Sequence, residues 1–361
     1  MLDKDWANAR NILTVRLDNI GDVVMLGPAL RAIKENLPES KITLLASPAG
    51  THAASLLRQV DRIITWRAIW QDVGNQMPID AARELQLVEA LAEADFDAAI
   101  VFTSFSQSPY PPAYIAYLAE IPLRLGQSKE FGGSVLTTWI KAPDDTMHQV
   151  DRNLYLLQRA GFVISHRELS INIPEQAREY IDLKLASKGI EPDEPFILVH
   201  PGASCSARTY PFERWSDIAL HMIHYSGLPV VISGNEKDAR RLEQMGSTAW
   251  AGSIILAGQT TVEQYAALVS RSSLVMSGHT STMHLADAVG IPSVILFSGT
   301  DLECQWKPRN TPYRTLRRET PCTPCRLFTC PFGMQCLDIE PDEVVEVALD
   351  MLKRDYDTPG D

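Results

Sequence analysis

Apolar and polar positions along the chain follow a regular alternation of strands and helices. A buried-strand pattern at 11–17 leads into a polar, glycine-containing loop, and apolar residues then recur at a helical spacing from Val23 to Leu37. A stretch at 104–112 rich in Ser, Pro and aromatic residues predicts a loop. Further strands are predicted at 42–46, 62–65 and 97–102, and further helices at 80–93, 148–160 and 174–188. Strands that alternate with helices indicate a parallel sheet.

A second alternation follows a stretch at 189–195 that holds two prolines and three acidic residues and predicts a linker. Its strands are predicted at 196–200, 228–233, 254–256 and 293–297, and its helices at 211–225, 236–245, 261–270 and 341–354. We therefore predict an α/β protein with two Rossmann-like domains of parallel sheet, at 1–174 and 190–340, and a C-terminal helix and tail at 341–361. Two such halves facing a cleft suggest an enzyme that binds a nucleotide-linked donor on one half and an acceptor on the other. Periplasmic binding proteins and nucleotide-sugar epimerases share this coarse pattern.

The composition narrows the class of protein. The 361 residues are 45% hydrophobic and 22% charged, which is ordinary for a globular protein. A net charge of −12 argues against a non-specific nucleic-acid binder, because such binding needs a surplus of cations. The sequence has no apolar run near the roughly 18 residues of a membrane helix, and its start lacks the apolar core of a secretory signal. We therefore expect a cytoplasmic protein, with any membrane association peripheral, at the inner face of the cytoplasmic membrane.

The stretch at 272–292 predicts a strand, a hydroxyl-rich turn and a helix that ends at Gly290. Thr280 and Ser281 are placed to cap the helix N-terminus, which leaves first-turn N–H groups to receive a phosphate. His284 falls on the same helix face as Ser281. The alternative is an ordinary strand-to-helix turn whose hydroxyl groups only cap the helix.

A second polar loop, Asp18-Asn19-Ile20-Gly21-Asp22, follows the first strand. Asp22 would lie in the first turn of the next helix, where a carboxylate can act as a general base on an acceptor hydroxyl. The alternative is a carboxylate favoured there by the helix dipole alone.

Two further loops hold candidate groups for a phosphorylated ligand. In the loop that follows His200, Ser204 supplies a hydroxyl and Arg208 a cation that can bind a phosphate through two donors. Glu236, after the next strand, could accept hydrogen bonds from ribose hydroxyls. A solvated arginine and a helix N-terminal carboxylate are the structural alternatives.

A cysteine cluster lies near the C-terminus. Four of the six cysteines fall within fifteen residues, at Cys322, Cys325, Cys330 and Cys336. Clustered thiols in a cytosolic chain indicate a metal site before disulfides, with zinc or iron as the candidates. Their spacings match no standard zinc finger, so a loop of free or disulfide-linked thiols is the alternative.

Taken together, these motifs resemble the family 9 glycosyltransferases, the ADP-heptose:lipopolysaccharide heptosyltransferases, over nearly the whole chain. The resemblance rests on residues 16–22, 201–211, 234–236 and 280–292, and the segment from Cys322 to Cys336 is similar to one found in second-heptose-type members. It implies a GT-B fold and an inverting, metal-independent transfer of a heptose from its ADP-linked donor to a lipid-anchored core sugar.

The resemblance also implies roles for the candidate residues. Asp22 matches the position assigned as the family's catalytic base, and Asp18 and Asn19 belong to the acceptor-side loop. The implied donor contacts are Ser204 and Arg208 to the diphosphate, Glu236 to the ribose, and the helix start with Thr280, Ser281 and His284 to the diphosphate. Any metal at the cysteines would be structural, so no cofactor is expected in catalysis.

This chain departs from the family pattern at two places. Arg208 stands where the family usually has Lys, and His279-Thr280-Ser281 stands where it shows Asp or Asn, then Ser or Thr, then Gly. The lost glycine adds a side chain where the backbone meets the diphosphate. Two alternatives remain. One is a nucleotide-sugar epimerase or hydrolase on a similar two-lobed fold, and the other is a non-catalytic binding module in which the altered turn at 279–281 no longer holds ADP.

Overall fold

The computed structural model describes residues 2–356. The chain divides between Asn172 and Ile173 into two compact units. Each unit contains a parallel six-stranded sheet among its described residues, so the predicted pair of Rossmann-like folds is confirmed.

The sheet of the first unit has the strand order β3-β2-β1-β4-β5-β6, and every pairing in it is parallel. The strands are β1 Asn11–Arg16, β2 Lys41–Ala46, β3 Arg62–Thr65, β4 Ala98–Val101, β5 Leu123–Ser128 and β6 Thr138–Lys141. The helices are α1 Lys4–Asn8, α2 Ile20–Val24, α3 Gly27–Asn36, α4 Pro48–Ala54, α5 Ala81–Glu93, α6 Tyr110–Leu118 and α7 Gln149–Arg159.

The sheet of the second unit has the order β12-β11-β10-β7-β8-β9, again with parallel pairings only. The strands are β7 Ile197–His200, β8 Val230–Ile232, β9 Ile254–Ile255, β10 Leu274–Gly278, β11 Ser293–Leu296 and β12 Tyr313–Leu316. The helices are α8 Glu175–Ala186, α9 Phe212–Ser226, α10 Glu236–Met245, α11 Val262–Arg271, α12 Ser281–Val289, α13 Glu303–Trp306 and α14 Pro341–Tyr356.

The central strands are buried on both faces, as their apolar sequences require. In the first unit, Leu13 and Val15 of β1 pack in one core with Val101 of β4. In the second unit, the fully buried Trp215 of α9 and Met276 of β10 belong to a core that extends to the C-terminal helix.

The division between the units falls ahead of the predicted linker. The helix predicted over 174–188 is α8, which packs against α11 within the second unit, and residues 189–195 therefore connect two parts of one unit. The predicted C-terminal helix is α14, which packs against α9. The predicted tail beyond residue 356 lies outside the described residues.

Two local predictions are wrong for identifiable reasons. The helix predicted from Val23 to Leu37 is two helices, because Pro28 lacks the N–H that a continuous helix needs and instead lies in the first turn of α3. The loop predicted at 104–112 ends early, since α6 begins at Tyr110. The strands β5, β6 and β12 had no predicted counterpart.

Candidate active site

Both sheets share a strand order that places a topological switch point between two central strands. The switch lies between β1 and β4 in the first unit and between β7 and β10 in the second. In open α/β sheets, ligands bind at such a point, outside the carboxyl ends of the strands. The loops that leave these four strands therefore form the expected binding edge of each unit.

Asp22 lies in the first turn of α2, directly after β1. Its Oδ1 accepts hydrogen bonds from Arg16 Nη2 at 2.7 Å and from Ser104 Oγ at 3.3 Å, and its Oδ2 accepts the backbone N–H of Asn19 at 3.2 Å. Each carboxylate oxygen has two acceptor positions, so Oδ2 can still take a proton from a hydroxyl. The side chain is 16% exposed, which leaves it reachable.

Arg16 fixes this carboxylate from inside the unit. It ends β1 and is fully buried, and its Nη2 also donates to Ser104 Oγ at 2.6 Å. Its Nε lies 2.9 Å from Asp18 Oδ2. One buried cation thus stands between two carboxylates, and it holds Asp22 in a single orientation.

Asp18 and Asn19 occupy different environments although they are neighbours. The Asp18 side chain is 10% exposed, and Gln107 Nε2 donates to its Oδ1 at 2.5 Å. Burial raises the pKa of Asp18 despite the adjacent Arg16. Asn19 is exposed and precedes α2. Of the two residues, Asn19 is therefore the more accessible to a ligand.

In the second unit, Arg208 ends a short 3₁₀ turn after β7. Its Nε donates to Thr300 Oγ1 at 3.1 Å, and its Nη2 donates to Asp301 Oδ2 at 2.6 Å. These bonds use two of the five guanidinium N–H groups. With its side chain 30% exposed, Arg208 can present the others to an anion.

The N-terminus of α12 lies at the carboxyl end of β10. Thr280 is the N-cap residue, and its side chain accepts the Thr282 N–H at 3.3 Å; Ser281 is the first helical residue. His284 is buried, with its ring centroid 6.5 Å from that of Trp306. Because α12 is nine residues long, its dipole favours an anion at this end.

His279 is buried rather than directed into solvent. It is 4% exposed and stacks on Phe297 with ring centroids 4.0 Å apart. Burial, together with the charge of Arg208, holds the pKa of His279 well below its usual range. The ring is therefore neutral at pH 7, and it adds no cation to the site.

Ser204 and Glu236 are both exposed at the same edge of the sheet. The neighbouring Asp238 is turned inward instead, and its Oδ2 accepts the backbone N–H of Asn235 at 2.9 Å. A Cβ on Gly202 would lie 2.3 Å from this oxygen, so the loop after β7 needs glycine at that position.

A hydrogen-bonded group at the end of β7 was not predicted. His200 Nδ1 lies 3.0 Å from Ser233 Oγ and 3.1 Å from Tyr265 Oη, and Tyr265 Oη lies 2.8 Å from Thr282 Oγ1. Burial lowers the pKa of His200 to about 4 and raises that of Tyr265 to about 12. The only sequence signal was that His200 ends a predicted strand.

The four clustered cysteines line one small cavity of about 20 Å³, together with Gly299 and Thr300. None of them is in a disulfide. Within residues 2–356, no group of three or more His, Cys, Asp or Glu side chains is arranged to hold a metal ion. The metal centre at Cys322, Cys325, Cys330 and Cys336 therefore stays a prediction.

The cysteine segment, residues 322–336, also contacts the loops that carry Arg208 and Asp301. The Ala207 N–H donates to Phe328 O at 3.1 Å, and the Cys325 and Arg326 N–H groups donate to Gly299 O and Thr300 O at 3.0 and 2.9 Å. Backbone hydrogen bonds thus connect this segment to both sides of the Arg208 site.

No helix within the described part of the chain is long and apolar enough to cross a membrane.

Two Rossmann-like units of parallel sheet are the components of the GT-B fold. Solved structures agree. The glycosyl transferase family 9 protein of Veillonella parvula superposes with a TM-score of 0.77 at 19% identity, over 96% of this chain and 97% of that one. The Escherichia coli ADP-heptose lps heptosyltransferase II superposes with a TM-score of 0.73 at 21% identity, over 96% of this chain and 99% of that one.

The sequence comparisons identify the family. The model of glycosyltransferase family 9 (heptosyltransferase) matches residues 84–335. Lipopolysaccharide heptosyltransferase 2 of Salmonella typhimurium is 24% identical over 301 residues, which cover 79% of this chain and 82% of the relative. The chain belongs to glycosyltransferase family 9 and is a glycosyltransferase.

Proposed function

We propose that the protein transfers a heptose, with inversion, from an ADP-linked donor to a hydroxyl of a glycan of the lipopolysaccharide-core type. Membership in family 9 supports the class of reaction. The names of the relatives support the donor and acceptor classes, since lipopolysaccharide heptosyltransferases 2 and 3 are both among them.

On the acceptor side, Asp22 is the general base. The observation that carries this role is its geometry: Oδ1 has two donors, from Arg16 and Ser104, and Oδ2 has one. The hydroxyl of the acceptor donates to the remaining position on Oδ2. As its proton moves to Oδ2, the acceptor oxygen forms a bond to the anomeric carbon.

On the donor side, the bond between the anomeric carbon and the phosphate oxygen breaks, and ADP leaves with the bonding electron pair. Arg208, the Ser204 hydroxyl and the α12 N-terminus, with Thr280, Ser281 and His284, bind the diphosphate and stabilise this developing charge. Glu236 accepts hydrogen bonds from the ribose. Attack from the face opposite ADP inverts the anomeric centre.

Replacement of Asp22 by Asn tests the base. We expect ADP binding to persist in calorimetry, while turnover of ADP-heptose with a deacylated lipopolysaccharide core falls by about 10² to 10⁴. Asp61→Asn is a matched control, because Asp61 also pairs with a cation, Lys34, at 2.7 Å. Asp61 precedes β3 and so lies at the amino ends of the strands, whereas Asp22 lies at their carboxyl ends. Full activity of the Asp22 variant would remove Asp22 from the mechanism.

The donor is tested by thermal shift with ADP, UDP, GDP and their sugars, because a ligand of the folded state raises the melting temperature. A shift with ADP-heptose above that with ADP supports the proposal. Conversion of ADP-heptose without any acceptor would indicate a hydrolase or epimerase instead. Absence of any nucleotide binding would indicate a non-catalytic binding module.

The proposed step uses side chains and a helix dipole, and a metal at the cysteine segment would have a structural role only. Elemental analysis of the purified protein tests the zinc or iron centre. The expected result is one metal per chain, lost on replacement of Cys325 by Ser. A metal-free protein with four titratable thiols at 322, 325, 330 and 336 would contradict it. Fractionation of cells tests the proposed peripheral location at the inner face of the cytoplasmic membrane.

A further inference from the structure

Asp301 is a charged residue at the binding edge of the second unit to which sequence reasoning assigned no role. It follows β11, and its side chain is 16% exposed. Its Oδ2 accepts a hydrogen bond from Arg208 Nη2 at 2.6 Å and one from Thr300 Oγ1 at 2.7 Å. A carboxylate thus lies directly beside the cation proposed to bind the diphosphate.

The two oxygens of this carboxylate differ in what they can accept. Oδ2 has two donors, and His279 Nδ1 lies 3.9 Å from it. Because burial lowers the pKa of His279, that ring brings no positive charge to the pair. The open acceptor capacity of Asp301 is therefore on Oδ1.

A carboxylate oxygen in this position selects against a phosphate, since two anions repel at short range. It suits hydroxyl groups, which donate strong hydrogen bonds to an ionised acceptor. The part of the donor next to Asp301 must therefore be a polyol rather than the diphosphate.

The strand order decides which end of the donor this is. In the order β11-β10-β7-β8, Asp301 follows the first strand and Glu236 follows the last. The α12 N-terminus and Arg208 follow β10 and β7, between them. At about 4.8 Å per strand, the two carboxylates follow strands about 14 Å apart. With the ribose at Glu236 and the diphosphate central, the β11 side is left for the transferred sugar.

We propose that Asp301 binds hydroxyl groups of the transferred sugar through Oδ1 and is a specificity-determining residue for the sugar part of the donor. This inference rests on the proposed function, because it takes the donor to be a nucleotide sugar with its diphosphate at Arg208. It makes Asp301 and Arg208 a pair that binds adjoining parts of one molecule.

Calorimetric titration of Asp301→Asn with ADP and with ADP-heptose is the test. We expect the affinity for ADP-heptose to fall about tenfold to a hundredfold, as for a lost hydrogen bond to a charged group. The affinity for ADP should stay within about twofold of wild type. Asp182→Asn is the matched control, since Asp182 lies on α8 and pairs with Arg271 of α11 at 3.2 Å. This variant should leave both affinities unchanged.

Each other outcome overturns the inference. Equal weakening of both ligands would mean that Asp301 only orients Arg208, and tighter binding of ADP would mean that it competes with the diphosphate. Unchanged binding of both would remove it from the site. A wild-type protein that binds neither ligand would instead overturn the proposed function, and the inference with it.

A second measurement needs no variant. Deoxy analogues of ADP-heptose, each lacking one sugar hydroxyl, are titrated into the wild-type protein. At least one should bind about tenfold to a hundredfold more weakly than ADP-heptose, as for the lost hydrogen bond to a charged group. Equal affinity of all analogues would overturn the assignment even if Asp301→Asn failed to fold.

Discussion

Replacement of Arg16 by Met should destabilise the first unit strongly. Arg16 is fully buried, 2.7 Å from Asp22 Oδ1 and 2.9 Å from Asp18 Oδ2. Methionine fills much of the same volume but leaves two carboxylates without their cation. Removal of one partner from a buried ion pair costs about 3–5 kcal/mol, so we expect the free energy of unfolding to fall by about that amount.

The assay is urea unfolding followed by circular dichroism at pH 7.5 and at pH 5. The fall in unfolding free energy caused by Arg16→Met should be smaller at pH 5 than at pH 7.5, because a protonated carboxyl group does not need the cation. Burial raises the pKa of Asp18, so ionised Asp18 costs stability above that pKa, and the cost disappears as the pH falls towards 3.8. Adding Asp18→Asn and Asp22→Asn to the Arg16 variant should restore part of the stability.

Lys129→Met is the control. Lys129 pairs with Asp145 at 2.7 Å in the same unit, but the two side chains are 65% and 40% exposed, and such surface pairs contribute about 0–1 kcal/mol. A loss of less than about 1 kcal/mol for Arg16→Met would refute the reasoning. An equal loss at both pH values would also refute it, since packing and not charge would then be responsible.

Two further changes test the second unit. Burial lowers the pKa of His200 from 6.5 to about 4, so the free energy of unfolding of the wild type should fall by about 3 kcal/mol at most as the pH drops through that window. His200→Gln should lose less stability over the same pH range. Parallel plots of unfolding free energy against pH for the two proteins would contradict this. Gly202→Ala puts a Cβ 2.3 Å from Asp238 Oδ2. The substitution should break the cap of α10, lower the free energy of unfolding by about 1 kcal/mol and weaken ADP binding in calorimetry. An unchanged melting temperature and unchanged ADP affinity would show that the loop can shift to accept the Cβ.

The sequence predicted most of the sheet because its central strands are buried on both faces and read as unbroken apolar runs. The strand β1 and the strand β10 with its helix were recognised in this way. The strand β5 was missed, because it carries Arg124 and Gln127, polar side chains that the structure nevertheless buries. Tertiary hydrogen bonds, such as those from Arg124 to the backbone of Val135, make that burial possible.

Sequence predicted the candidate site residues only where they lie in a loop that directly follows a strand. Asp22 follows β1 of the first sheet, whereas Arg208 and Thr280 follow β7 and β10 of the second, and within each sheet the parallel strands bring their following loops to one edge. Contacts distant in sequence gave no signal: Ser104 is 88 positions from Arg16, and Asp301 is 93 positions from Arg208. Sequence spacing cannot show which cation a carboxylate will meet across a sheet.

The identical strand order of the two sheets has an evolutionary consequence. Each unit builds its own switch point from its own central strands, β1 and β4 in one and β7 and β10 in the other. The loops that carry Asp22 and Asp301 therefore belong to two separate sheets. Under the proposed roles, a change of acceptor calls for substitutions near Asp22, and a change of donor sugar calls for substitutions near Asp301. Acceptor choice and donor choice would then be two separate axes of specificity within one chain.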